Sequence, residues 1–275
     1  MDFMKIREKP KSNDLTNASG SFKNLKNLFK WLDPFTYIDV FVLPKINPEK
    51  KSWISWTVYL ISAFVFAFLL YSIIGFILQT SFPLVIVVSG SMEPVYFRGD
   101  LIVLQGTNPE SLNAPLITLS SQSIHWTSYC IKKNEPEKEI LCSQAKQELL
   151  LTDLRTSDIV TTRLVFDGNQ IIKIQSLGDV IVYFSDLQGN KPVIHRAVAK
   201  IKTADGMFVL TKGDSVFNPL IDQESGISFS PIPVSELKGK TLFRIPWLGY
   251  LKLILIDDLQ VLLLGCRQAE GCILP

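Results

Sequence analysis

Residues 192–214 read PVIHRAVAKIKTADGMFVLTKGD. Two apolar runs flank Asp205-Gly206, and a DG pair ahead of such a run is a good hairpin signal. The same texture continues outward. PLVIVVSG (83–90), DLIVL (100–104), DIVTTRLVFDGN (158–169) and GDVIVYF (178–184) are short β-rich runs separated by turn residues. FDGNQIIKI (166–174) repeats the DG signal. No long amphipathic helix interrupts these runs, which predicts a mainly antiparallel β domain. Residues 106–176 are more polar and less periodic, and read as an inserted subdomain or a long excursion.

Upstream of these runs the composition changes. No charged residue occurs between Lys51 and Glu93, and Trp53–Leu78 (WISWTVYLISAFVFAFLLYSIIGFIL) is almost wholly apolar. A bilayer core needs about 20 apolar residues as helix. This run exceeds that, and it is too long and too far from Met1 for an ordinary cleaved signal peptide. It predicts a transmembrane helix over residues 53–79. Lys45, Lys50 and Lys51 precede the run, and the first basic residue after it is Arg98. The positive-inside rule then puts the N-terminal region, 1–52, in the cytoplasm and the chain beyond about Gln79 outside.

The 275 residues carry a net charge of only +2, which gives no global sign of a nucleic-acid binder. FKNLKNLFKWL (22–32) spaces Phe22, Leu25, Phe29 and Leu32 as one helix face with lysines between them. It reads either as a basic amphipathic helix on the inner membrane surface or as a short solvated arm. Residues 1–20 are polar, and disorder is the expectation. At the other end, WLGYLKLILIDDLQVLLLGC (247–266) is apolar but contains Lys252, Asp257 and Asp258. Each charge costs roughly 2.5–3.5 kcal/mol near a bilayer centre, so the sum does not favour insertion. Both a second span and a membrane-associated helix within 251–275 stay open.

All four cysteines follow the apolar run. Cys130 and Cys142 flank IKKNEPEKEIL, a hairpin pattern turning at Asn134–Pro136, and outside the cell they would be free to pair. Cys266 and Cys272 show no metal-site pattern with histidine, and no feature calls for a metal or an organic cofactor.

The chemistry-bearing residues lie in the β region. Ser89-Gly90-Ser91 follows an apolar run. A serine nucleophile needs a base and oxyanion donors, and a neighbouring glycine admits close approach. Twelve residues separate Gln79 from Ser91, at most roughly 40 Å when extended, so Ser91 would work near the outer membrane surface. The chain has two histidines: His195 between strand-like runs, and His125 in the less regular insertion. Asp214 and Asp222 lie in LTKGDSVFNPLID (210–222), a loop with Gly, Pro and Asn, where an acid that orients a histidine would sit.

Together these segments resemble the type I signal peptidases, in the branch that uses serine and histidine. An anchor, SGSMEPVYFRGDLIVL (89–104), LGDVIVY (177–183), PVIHRAV (192–198), FVLTKGD (208–214) and ELKGKTLFRIPWLG (236–249) come in family order. The likeness covers residues 53–105 and 177–250. It implies a membrane-anchored, mainly β protein, with an N-terminal transmembrane helix and an antiparallel β catalytic domain over 80–250. It implies Ser91 as nucleophile, and Ser89 with the Ser91 N–H as oxyanion donors. The base occupies the place of the lysine in a Lys-Arg pair, here His195–Arg196. Asp222 would orient His195 and Asp214 would support it, although altered spacing leaves the two interchangeable. Val85, Ile86, Val87, Val88, Val193 and Ile194 would floor shallow substrate pockets or pack the core, with Met92 near the site. Glu93, Pro94, Arg98, Gly99 and Asp100 would hold the turn.

The implied activity is that of a serine endopeptidase acting on the signal peptides of secreted preproteins, in the cell membrane or the endoplasmic-reticulum membrane. Membrane lipid is an implied partner, the secretion translocon an open one, and nucleic acid is not implied. The stretch 106–176 is longer than family members usually carry between the serine motif and GDVIV. It keeps open a specialised peptidase for a few surface-protein precursors. A non-catalytic anchored β-rich binding module is the rival from another class.

Overall fold

The computed structural model describes residues 33–121, 123–151, 158–174 and 178–254. They fall into two compact units, one ending at Ile73 and the other starting at Ile74.

In the first unit Asp33 caps a run of short helical turns, accepting from the Phe35 N–H at 3.0 Å, with Pro34 at the first helical position. The turns cover Pro34–Tyr37, Ile38–Val42 and Leu43–Ile46, a stretch to which the sequence reading assigned no element. Buried Asn47 then staples the start of the long helix. Its amide donates to the Lys51 carbonyl and Ser55 Oγ, and its oxygen accepts from the Lys51 N–H. Helix α1, Ser52–Ile77, has 26 residues and none of them is buried. At 1.5 Å per residue it is about 39 Å long, against a hydrocarbon core of about 30 Å. Among the described residues it is the one helix long and apolar enough to cross a membrane. The early turns lie along it: Tyr59 hydroxyl donates to Asp39, Phe35 meets the Tyr59 ring edge-on, and Pro34, Phe35 and Ile38 line an apolar groove with Val65, Phe66 and Leu69. The segments 22–32 and 255–275, where the sequence suggests further membrane-associated helices, lie outside the described residues.

The second unit is mainly antiparallel β. Its larger sheet has the order β1 (Leu84–Ile86), β2 (Leu101–Gln105), β12 (Gly239–Ile245), β8 (Val180–Ser185), β9 (Lys191–Thr203), β10 (Gly206–Lys212), β11 (Ile232–Pro233). All these pairs are antiparallel, and β3 (Leu116–Thr118) adds to β9 in parallel. The β9–β10 hairpin turns at Ala204-Asp205, as the DG signal predicts. Along β9 the odd-numbered positions from Val193 to Thr203 are buried, Ala197 in one core cluster and Ala199 and Ile201 in another. A bulge opposite Leu210/Thr211 leaves Val198 as the extra residue on β9.

The inserted region 106–176 supplies β3 and a second, four-stranded antiparallel sheet. Its order is β5 (Glu135–Leu141), β4 (Trp126–Lys132), β6 (Ile159–Phe166), β7 (Gln170–Lys173). β4 and β5 form the expected hairpin, but it turns at Lys133-Asn134, with Pro136 already inside β5, and helix α2 (Cys142–Leu151) follows it. A disulfide joins Cys130 to Cys142. Leu164, Phe166 and Ile172 of this sheet bury themselves against Val198, Ala199, Ile201 and Leu210 of the larger one, with Ile117, Leu119 and Ile221 between. The two sheets therefore share one core. Ile201→Ala, at a fully buried position in it, should cost about 2–5 kcal/mol in denaturant unfolding of the detergent-solubilised protein. A loss below about 1 kcal/mol would contradict the shared core.

Candidate active site

Strand β9 places two adjacent basic side chains on opposite faces. His195, 2% exposed, faces inward, and half-buried Arg196 faces the other way. His195 Nδ1 lies 2.7 Å from Asp222 Oδ2. The same carboxylate oxygen accepts from Tyr183 hydroxyl on β8 at 2.8 Å and from Thr211 Oγ1 on β10 at 2.5 Å. Asp222 itself is wholly buried at the start of α3, the single turn Asp222–Ser225. A carboxylate in its ionised form can only accept, and to that form this contact is a hydrogen bond from an Nδ1–H, the arrangement that leaves Nε2 free of it. That is the tautomer a general base requires. Burial, with the Asp222 charge beside it, pushes the Tyr183 phenol far above its ordinary range and keeps it a donor.

Asp214 has a different partner. It receives Arg196 Nε at 2.8 Å and Nη2 at 2.6 Å, a two-pronged ion pair, while Arg196 Nη1 donates to the Gly178 carbonyl at 2.6 Å. Arg196's hydrogen bonds to Asp214, reinforced by the carboxylate's charge, raise the guanidinium above its ordinary value against the burial that opposes it. The two acids that spacing left interchangeable are thus separated: Asp222 meets the histidine and Asp214 the arginine.

Ser91 lies on the turn after β1. Ser89 Oγ donates to Ser91 Oγ at 3.3 Å. Among the described residues, no hydrogen bond joins Ser91 Oγ to His195. The turn is fastened instead through its backbone, where the Ser91 carbonyl accepts from the Ser215 N–H at 3.0 Å. Gly213 makes this approach possible, because a Cβ there would lie 2.6 Å from the Ser91 carbonyl oxygen. The last β9–β10 ladder pair is Arg196↔Lys212, with His195 and Gly213 the residues next to it in the chain. The Lys212-Gly213-Asp214 segment is therefore the bridge between the serine turn and the histidine strand. Lys212, which the sequence reading did not single out, donates Nζ to the Gly213 carbonyl at 2.9 Å, and burial lowers its pKa. Tyr183 and Thr211 were missed as well, since an apolar strand with one hydroxyl carries no signal of what that hydroxyl meets.

The turn's far side is held by buried Asp100, which accepts from the Phe97 N–H at 2.9 Å and pairs with Arg244 at 3.4 Å. At Gly99, φ is +88° and the Tyr250 ring occupies the space of a side chain, which only glycine tolerates. Of the apolar residues considered for substrate pockets, Val87 and Met92 are fully buried. Val85 and Ile194 pack half-buried against the Val87 cluster, and Val193 packs with Tyr183 and Ile232. Ile86 is half-buried and Val88 is exposed. His125 is exposed in the loop before β4, remote in sequence from these elements.

Comparison with known proteins points the same way. No family model matches the chain. It is 27% identical over 189 residues to an uncharacterized protein of Methanocaldococcus jannaschii, covering 61% of this chain and 81% of that one. It is 23% identical over 209 residues to the signal peptidase complex catalytic subunit SEC11 of Scheffersomyces stipitis, covering 74% of this chain and 84% of that subunit. The SEC11 subunit of Colletotrichum graminicola is also 23% identical, over 193 residues, with 70% and 74% covered. These likenesses support a signal peptidase I-like relationship, with which a mainly antiparallel β fold and one apolar helix of membrane-spanning length are compatible.

The two acid–base pairs differ in what their loss should do. Asp214→Asn strips the counter-ion from a guanidinium only 12% exposed, and should cost about 3–5 kcal/mol. Tyr183→Phe removes one of three donors to Asp222 and should cost about 1–3 kcal/mol. Denaturant unfolding of the two variants checks this ranking, and the reverse order would contradict a structural role for Asp214.

Proposed function

We propose that this chain is a membrane-anchored serine endopeptidase that removes N-terminal signal peptides from secreted preproteins. The observation that carries the reading is the buried hydrogen bond from His195 Nδ1 to Asp222, on a strand tied through the Lys212–Asp214 segment to the Ser91 turn. The relatives named as signal peptidase catalytic subunits supply the substrate class.

Ser91 Oγ attacks the scissile carbonyl carbon while His195 Nε2 takes its proton. The developing oxyanion is met by the Ser91 N–H and the Ser89 hydroxyl. The C–N bond then breaks, and His195 returns the proton to the leaving amine. Water, deprotonated by His195, attacks the acyl-enzyme, and the signal peptide leaves with a new carboxylate as Ser91 regains its proton. Asp222 holds the imidazole in its working tautomer and stabilises the imidazolium. Asp214 acts at one remove, by fixing Arg196 and the loop that ends at Ser91. Ser91 Oγ turns from Ser89 to His195 when substrate binds, since catalytic hydrogen bonds tighten in the complex.

The substrate lies extended along β1, which among the described residues pairs with β2 alone and so offers its other edge for strand addition. Small residues at the first and third positions before the cut suit shallow pockets floored by Val85, Ile86, Ile194 and Val88, with Val87, Val193 and Met92 supporting them from the core. Helix α1 is the anchor. The lysines at 45, 50 and 51 set its N-terminal end in the cytoplasm, and the β region acts on the exterior face.

Cleavage of a model preprotein by the detergent-solubilised protein tests the reading. The wild type should cut after a small-X-small sequence, and Ser91→Ala and His195→Ala should abolish cutting. Asp222→Asn should lower kcat on the order of 10⁴-fold, the loss expected when the tautomer is wrong. Wild-type cutting by Ser91→Ala would overturn the assignment, and an inert wild type would favour a binding module.

A further inference from the structure

The inserted region 106–176 carries none of the site residues assigned above, yet it touches the turn that bears Asp222 from three sides. We propose that Glu224 is a positioning residue through which this region sets the place of Asp222 against His195. The inference rests on the peptidase reading of the site.

Helix α3 is one turn long, and one turn has no stability of its own in water. Its place is decided by what it contacts. On one side Asp222 takes hydrogen bonds from Tyr183, Thr211 and His195, and Gln223 Oε1 accepts from the Thr211 N–H at 3.3 Å. All of these belong to the larger sheet. On the other side Glu224 Oε1 accepts from the Trp126 indole N–H at 3.1 Å and from the Ser128 hydroxyl, both on β4 of the smaller sheet. Lys146 on α2 donates Nζ to the Glu224 carbonyl at 2.5 Å, and the Thr161 N–H on β6 donates to the Pro219 carbonyl at 3.0 Å.

Burial follows the same division. Leu220 packs among Cys130, Cys142, Ala145 and Ile159 of the inserted region, whereas Ile221 enters the core between the sheets. Residues 219–224 therefore form a rivet between the two sheets, its middle held by the larger sheet and both its ends by the inserted one. Glu224 is its side-chain hold on the inserted one. A misplacement of about 1 Å in a catalytic group costs about 100-fold in rate, so a loosened Glu224 would be felt at His195 although it touches neither substrate nor histidine.

The test is a double-mutant cycle on the full-length, detergent-solubilised protein, with steady-state kinetics on a model preprotein. Glu224→Ala should lower kcat roughly 10- to 100-fold. KM should stay within about twofold, the usual margin for sites that do not couple. Glu224→Gln should recover most of the loss, because its amide oxygen accepts the same two hydrogen bonds. In an Asp222→Asn background, Glu224→Ala should cost less than about twofold, since a residue that acts through Asp222 has nothing left to position. Trp126→Phe and Ser128→Ala should each give a smaller loss in kcat, and they carry the test if Glu224→Ala does not fold. A wild-type kcat in Glu224→Ala, or a loss that adds in full to that of Asp222→Asn, overturns the inference and leaves the triad standing. A wild-type kcat in Asp222→Asn overturns the triad itself, and the inference with it.

Discussion

A carboxylate buried completely inside a β protein depends on the donors it can gather, because an unpaired buried charge is far costlier than any single contact is worth. Asp222 gathers them on one oxygen: Oδ2 takes Tyr183 on β8, His195 on β9 and Thr211 on β10, while buried Oδ1 has no partner among the described residues. That requirement fixes the register of the central strands relative to the one-turn helix α3. It also fixes the imidazole, since the only proton His195 can share with Asp222 is the one on Nδ1.

The second acid obeys a different constraint. Adjacent residues on a strand face opposite ways, so the His195–Arg196 pair needs two acids, one for each face. Asp222 serves the inward face, and Asp214 the half-buried one. The Arg196–Asp214 pair does more than neutralise charge. It anchors the segment that starts at Gly213, whose missing side chain lets the Ser91 carbonyl come close. One strand thus organises both the histidine and the approach of the Ser91 turn.

The inserted region changes the meaning of the loop that follows Asp214. A segment such as SVFNPLID would be mobile if it faced solvent alone. Here Thr161 holds Pro219, Trp126, Ser128 and Lys146 hold Glu224 just beyond it, and Leu220 and Ile221 enter two different clusters. The disulfide between Cys130 and Cys142 ties β4 to the start of α2, two of the elements that do the gripping. The long sequence excursion is therefore part of the scaffold around the acid.

Much of this was legible in the residues. Apolar runs on either side of a DG pair marked the β9–β10 hairpin, and an uncharged run of helical length declared α1. Local pattern suffices there because it reports which face is buried. It could not choose between Asp214 and Asp222, because both lie in one turn-rich loop and only the strand faces decide which base each meets. Tyr183, Thr211 and Glu224 were illegible for the same reason: their partners are 11 to 98 residues away along the chain, and a hydroxyl or carboxylate looks the same in sequence whether it is solvated or shared. The chain by itself determined the long apolar helix, the strand-rich class and the residue types a serine–histidine site requires. Only the tertiary structure decided which acid completes the histidine and what holds that acid in place, since those contacts exist only once two sheets close over a buried charge.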